Sequence, residues 1–157
     1  MKITGKKSIS SMIKIFLIVL FVTCLYAMVS IPIVMKYEVN VSRIIDVKTE
    51  MVFLYIAAIP ALCMIIEFTK IFSSFEKEII FSRKIEKRLQ RSSIYSILIG
   101  ITFSVNAFVH NFFILENAQE KVFEVMYLIV IILIAMIFLI LGIGIMVLKN
   151  VYKVAIF

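Results

Sequence analysis

Long runs of apolar residues alternate with charged segments along this chain. The four runs are Ile15–Met35, Met51–Thr69, Ser92–Leu115 and Val125–Leu148. An α-helix rises about 1.5 Å per residue, so about 20 residues cross a bilayer core of about 30 Å. A buried helix in a water-soluble protein would not need such length four times over. The pattern therefore predicts an all-α fold, an integral membrane four-helix bundle.

The charged residues at the ends of the runs set the expected limits of each span. Four spans are expected, at about residues 13–35, 51–73, 92–115 and 123–148. Two outer loops and one inner loop connect them, at residues 36–50, 116–122 and 74–91. These connections are too short to fold a separate soluble domain, so residues 1–157 form a single membrane domain. The first run exceeds the about 7–15 apolar residues of a signal peptide, so we expect an uncleaved span rather than a removed signal.

The basic residues lie mostly on one side of this arrangement. With four spans, both termini and the inner loop share a side, and that side carries 13 of the 17 lysines and arginines. Short loops rich in Lys and Arg stay in the cytoplasm. The sequence thus predicts a multi-pass protein of the cell inner or plasma membrane, with both termini cytoplasmic. Because topology accounts for the net charge of +7, no direct contact with nucleic acid is expected.

The third span carries small residues at helical spacing. One helical face carries residues at spacings of three and four: Ser93, Ser96, Gly100, Ser104, Ala107 and Asn111. Within this face, Ser96, Gly100 and Ser104 recur every four residues. Small residues let helix backbones approach closely in lipid, where the hydrophobic effect contributes little to association. This ladder predicts a helix-packing face, and a polar groove open to water is the alternative.

The inner loop has an amphipathic pattern. Phe75, Ile79, Ile85 and Leu89 lie near one helical face, and the basic residues lie mostly on others. This pattern predicts a cytoplasmic amphipathic helix between the second and third spans. One expected contact is anionic lipid of the inner leaflet, and the alternative is a cytosolic protein. The candidate contact residues are Arg83, Lys84, Lys87, Arg88 and Arg91.

Few polar side chains fall inside the spans. Glu67 is expected near the inner surface, within reach of Lys70. Asn106 and His110 lie four residues apart near the outer end of the third span and form a candidate polar outer site. A hydrogen-bonded histidine at the interface is one interpretation of this pair, and a proton-sensing or ligand-binding site is the other.

Residues that would support catalysis are scarce. The chain has one histidine and two isolated cysteines, Cys24 and Cys63, which are too few to predict a metal site. Each cysteine lies in an apolar run, where it is expected to behave as a small hydrophobe rather than as a reactive thiol pair. No glycine-rich phosphate loop or nucleophile elbow occurs. We therefore expect a protein that is not an enzyme and that has no cofactor and no metal.

The inner loop also carries a family resemblance. The segment from Ile80 to Arg91 has Phe81 and Ser82 followed by Lys87-Arg88-Leu89 and a basic residue. It resembles a motif of a bacterial family of small four-span membrane proteins, domain of unknown function 2975, although Ile80 stands where the family usually has proline. Val151-Tyr152-Lys153 resembles the Val-Phe-Lys of the same family. The resemblance implies the same four-span architecture and, as partner, a cytosolic transcriptional regulator of the helix-turn-helix type.

Three functional hypotheses follow. The first is a membrane sensor, or a partner of a cytosolic regulator, that contacts its partner through the basic inner loop. The second is a homo-oligomeric channel or small transporter lined by the face with Ser96, Gly100 and Ser104 and by Asn106 and His110. The third is an accessory or immunity-type protein that binds another membrane protein.

Overall fold

Helices make up nearly all of the structure, a computed structural model that describes residues 4–38, 44–77, 81–114 and 121–156. The four α-helices are α1 (Thr4–Glu38), α2 (Ile44–Glu76), α3 (Arg83–Val109) and α4 (Lys121–Ile156). A one-turn π-helix, His110–Ile114, continues α3. No strand occurs within these residues. The predicted all-α fold with four helices is confirmed.

Each helix contains a segment that is long and apolar enough to cross a membrane. The segments are Ile9–Ile33, Lys48–Glu76, Arg83–Phe112 and Val125–Ile156. Their length and composition are those of a membrane protein, as the four apolar runs predict.

The helices extend beyond the predicted spans. Residues 36–50 were expected as a loop, but α1 continues to Glu38 and α2 begins at Ile44, while residues 39–43 lie outside the described residues. Residues 83–91 are the first turns of α3, and within the described part of 74–91 no separate helix lies between α2 and α3. The expected limits followed the charges, but Lys, Arg and Glu are good helix formers. A change in polarity therefore ends an apolar run without ending the helix.

Ser82 fixes the start of α3. Its backbone is extended (φ −148°, ψ 149°), and its hydroxyl accepts a hydrogen bond from the backbone N–H of Ile85 at 3.4 Å. Serine is a preferred residue at this position because it satisfies an N–H that the helix itself leaves unpaired.

Consecutive helices pack antiparallel to one another. The Ser10 hydroxyl of α1 donates to the Phe72 carbonyl of α2 at 2.8 Å, and the Ser93 hydroxyl of α3 donates to the Gly142 carbonyl of α4 at 2.7 Å. The terminal end of the bundle is where α1 and α3 begin and α2 and α4 end, and the loop end is opposite. In the described chain, α1 packs against α2 and has no comparable contact with α3 or α4.

Glycine allows α3 and α4 to approach closely. A Cβ on Gly100 would lie 2.7 Å from Cγ of Leu139, and a Cβ on Gly142 would lie 2.6 Å from Cγ1 of Ile97. Both distances are shorter than real carbon contacts, so each position requires glycine at this helix separation.

Candidate functional site

Four polar side chains meet at the loop end and form the strongest candidate site. The carboxylate of Glu50 accepts hydrogen bonds at Oε2 from Nδ2 of Asn106 and from the Tyr127 hydroxyl, each at 2.8 Å. Its Oε1 lies 3.2 Å from Nδ1 of His110. Glu50 belongs to α2, Tyr127 to α4, Asn106 to the end of α3 and His110 to the π-helix that continues α3. This cluster, named the loop-end cluster, therefore joins three helices.

The side chains of Asn106, His110 and Glu50 are largely withdrawn from solvent. Asn106 and His110 are each only 2% exposed, and the Glu50 side chain is 18% exposed. A carboxylate withdrawn from water requires donors, and the surrounding groups supply them. The His110 and Tyr127 rings also pack together, with centroids 5.1 Å apart. The arrangement surrounds one carboxylate with three polar side chains at the end of a candidate membrane span.

The backbone at this site departs from regular helix. The π-helix begins at His110, directly after Val109, and the His110 N–H bonds the carbonyls of Ala107 and Asn106. Single π turns inside α-helices occur frequently at functional sites. Spacing along the sequence brings Asn106 and His110 together, as expected.

Glu50 and Tyr127 were not among the candidate site residues. Both fall near the predicted outer boundary, which is a weak signal because several other acids and aromatics fall there too. Only the packing of α2 and α4 against α3 selects these two.

A second ionic cluster ties α2 to α3 at the terminal end. Glu67 accepts a hydrogen bond from Nη1 of Arg91 at 3.3 Å, and Nε of Arg88 lies 4.0 Å from its other oxygen. The Glu67 side chain is only 9% exposed. Glu67 and Lys70 were expected within reach of each other, and the carboxylate pairs with arginines of α3 instead. The two residues are three apart on α2, yet Lys70 is exposed and has no ion pair among the described residues.

The five basic candidates thus separate into two groups. Arg88 and Arg91 hold Glu67. Arg83, Lys84 and Lys87 are exposed to solvent, and neither lysine has a partner among the residues that the structure describes. The intervening Ile85 and Leu89 are buried against Ile71 and Ile145.

The three residues of the small-residue ladder of α3 do not all contact α4. Ser96 donates its hydroxyl to the Phe138 carbonyl at 2.8 Å, and Gly100 contacts α4 as described above. Ser104 is exposed and bonds the Gly100 carbonyl of its own helix. The neighbour that contributes to the packing face is Ser93, whose hydroxyl reaches α4. Ser96 and Gly100 thus lie together against α4, and Ser104 does not.

A cavity of about 250 Å³ lies between the four helices. Its lining is apolar and includes Cys24 and Ala27 of α1, Ala58 of α2, Phe103 of α3 and Phe138 of α4. Cys24 and Cys63 are both free thiols and half-buried. Among the described residues, no group of three or more His, Cys, Asp or Glu side chains could hold a metal ion.

Comparison of this chain with protein-family models, curated proteins and solved structures gives no match. The resemblance of Ile80–Arg91 to the four-span bacterial family therefore stays a prediction.

Proposed function

We propose that this is a non-enzymatic membrane protein that contacts a cytosolic protein through exposed basic residues at the start of α3. In this proposal the terminal end faces the cytoplasm, because that side carries 13 of the 17 basic residues. The contact face consists of Arg83, Lys84 and Lys87.

The observation that carries the proposal is the separation of the basic residues into two groups. Arg88 and Arg91 already hold Glu67. Lys84 and Lys87 extend into solvent without a partner among the described residues, although the same helix turns bury Ile85 and Leu89. Exposed cations on a helix that is packed in place favour electrostatic binding of an acidic surface. The resemblance to the four-span family suggests a transcriptional regulator as the partner.

The loop-end cluster supports a sensing role for the other end. Glu50, Asn106 and His110 connect α2 with the end of α3, and α3 is one continuous helix from Arg83 to Val109. A change in the charge or ligation of the cluster would therefore act on the same rigid element that presents the contact face.

The oligomeric channel has weaker support. Ser96 and Gly100, which would line its path, pack against α4, and the cavity between the helices has an apolar lining. A path for ions needs polar groups that replace the water of hydration. The accessory or immunity role has no observation that favours it.

Affinity purification of the tagged full chain from source-cell membranes tests the contact face. The double variant Lys84→Ser, Lys87→Ser should recover about 2- to 30-fold less of the regulator than the wild type, since each surface charge pair contributes about 0.2–1 kcal/mol. Lys153→Ser is the matched control, because Lys153 is an exposed lysine at the same end, on α4. Equal recovery from the wild type and the double variant would contradict the proposal, as would equal losses in the double variant and the control.

Thiol labelling tests the orientation. With Cys24 and Cys63 replaced by alanine, a single cysteine at position 153 should resist a membrane-impermeant maleimide in intact cells and react after the membrane is opened. Reaction in intact cells would reverse the proposed orientation.

A further inference from the structure

A second cavity, a groove of about 230 Å³, lies between α1 and α2 toward the terminal end. Ile18 and Phe21 of α1 line it, together with Ile65, Ile66, Thr69 and Lys70 of α2. Its position follows from the antiparallel pairing, in which Ser10 meets Phe72 and Tyr55 meets Met28. The groove therefore extends from the level of Lys70 toward the middle of the membrane.

The walls of the groove are apolar and open to the side. Ile18 is 48% exposed and Ile66 is 39% exposed. The only wall hydroxyl, that of Thr69, donates to the Ile65 carbonyl of its own helix at 2.8 Å and so offers no donor to a ligand. In the described chain, no other helix packs across α1 as α2 does. Within a bilayer, such a groove lies against lipid acyl chains.

The mouth of the groove carries an uncompensated positive charge. Two acids lie near Lys70 on α2, and both are engaged elsewhere. Glu67 binds Arg91 of α3, and Glu76 binds Lys14 of α1 at 3.0 Å. Lys70 is exposed and has no ion pair with the described residues. An apolar groove thus ends at an unpaired ammonium group near a membrane surface.

We propose that this groove binds one anionic phospholipid. An acyl chain lies along Ile18, Phe21 and Ile66, and the lipid phosphate pairs with the ammonium of Lys70. A lysine at this depth buries its methylene chain and extends its charge toward the headgroups, where the phosphates are. The site is distinct from the contact face and does not depend on it.

Lipid retention by the purified full chain tests the charge at the mouth. Native mass spectrometry would count bound phosphatidylglycerol and phosphatidylcholine, each added in turn to detergent-solubilised protein. Lys70→Gln should lower the affinity for phosphatidylglycerol about fivefold, the effect of one basic residue near a membrane surface, and leave phosphatidylcholine unchanged. Lys77→Gln is the matched control, because Lys77 is also an exposed lysine close to the end of α2. Equal losses in both variants would overturn the proposal, since they would indicate general surface attraction.

A bulkier side chain tests the apolar part. Ile66→Trp should fill the groove and reduce retention of both lipids, whereas Ile59→Trp, at an exposed site of α2 outside the groove, should reduce neither. Retention unchanged by Ile66→Trp would place the lipid elsewhere.

The wild-type chain provides a measurement that does not depend on the folding of any variant. Phosphatidylglycerol with a photoreactive acyl chain should label peptides containing Ile18, Phe21 or Ile66. Labelling restricted to α3 or α4, or crosslinking of a second copy of the chain through this groove, would overturn the proposal.

Discussion

The two helix pairs of this bundle are held together in different ways. Between α3 and α4, Gly100 and Gly142 admit close contact, and Ser93 and Ser96 bond carbonyls of the facing helix. Between α1 and α2, hydrogen bonds from Ser10 and Tyr55 are separated by the groove described above, and α1 contributes little buried surface.

The difference follows from how helices associate in lipid. Apolar side chains gain little by leaving lipid for a neighbouring helix, so close packing and hydrogen bonds decide which pairs are tight. The pair α3–α4 has both features in its middle part, between residues 93 and 100 of α3. We infer that α3–α4 is the stable base of the bundle and that α1 is the helix most easily displaced, and the following predictions test this difference.

The largest effect is expected from a side chain added at Gly142. Gly142→Leu would drive its Cβ into Ile97 and place it 3.2 Å from the backbone nitrogen of Ile97 and from the Ser93 carbonyl. Overpacking of this kind costs up to about 3 kcal/mol. The free energy of unfolding in bicelles, measured by denaturant titration and circular dichroism, should fall accordingly. Gly144→Leu is the matched control, since no atom lies within 4 Å of its added Cβ, and equal losses would contradict the close-contact explanation.

The second-largest loss of unfolding free energy is expected when the Glu50 carboxylate is removed. Glu50→Ala leaves the buried amide of Asn106 and the side chains of His110 and Tyr127 without a shared acceptor. An unsatisfied buried donor costs about 1–3 kcal/mol, so we expect a loss of about 2 kcal/mol in the same assay. Glu50→Gln, which keeps an oxygen acceptor, should lose less. A Glu50→Ala variant as stable as the wild type would show that the cluster does not tie α2 to the α3–α4 pair.

Two neighbouring serines, Ser92 and Ser93, should differ in their contribution to the free energy of unfolding, and the expected difference is smaller than the effects above. Ser93 donates to the Gly142 carbonyl, so Ser93→Ala should destabilise the chain by about 0.6 kcal/mol, with an upper limit of about 1.7 kcal/mol. Ser92 is fully buried, and its hydroxyl has no hydrogen-bond partner among the described residues. Ser92→Ala should therefore be neutral or slightly stabilising. The order of the two variants in unfolding free energy checks the assignment, and a reversed order would refute it.

An effect no larger than that of Ser93→Ala is expected in the α1–α2 pair. Tyr55 donates to the Met28 carbonyl at 2.7 Å, and Tyr55→Phe should cost about 0.6 kcal/mol. Because Cys24 lines the cavity between the helices, loosening of α1 should speed its reaction with a lipophilic maleimide in a Cys63→Ala background. Ser104→Ala serves as control, since that hydroxyl bonds only its own helix. An unchanged rate in Tyr55→Phe would show that this bond does not hold α1 in place.

The polar and charged side chains show which contacts could be predicted from the sequence and which could not. The pairing of Asn106 with His110 followed from helical spacing, because residues four apart share a face in any α-helix. Spacing along α2 likewise placed Lys70 within reach of Glu67, but the carboxylate pairs with Arg91 on a different helix. Contacts within one helix are set by its period, whereas contacts between helices depend on their rotation and separation.

By itself, the sequence determined four helices long and apolar enough to cross a membrane, since length and polarity decide whether a helix is stable in a bilayer. It also placed Ser96 and Gly100 on a packing face. Tertiary structure alone decided that Ser104 bonds its own helix although Ser93 and Ser96 bond α4, and that Glu50 and Tyr127 complete the polar cluster at the loop end. It also decided that Arg88 and Arg91 pair with Glu67 and that Lys84 and Lys87 do not. The physical reason is that apolar periodicity is nearly uniform around these helices, so the face that each turns inward is fixed only by fitting small residues and hydrogen-bonding groups against specific neighbours.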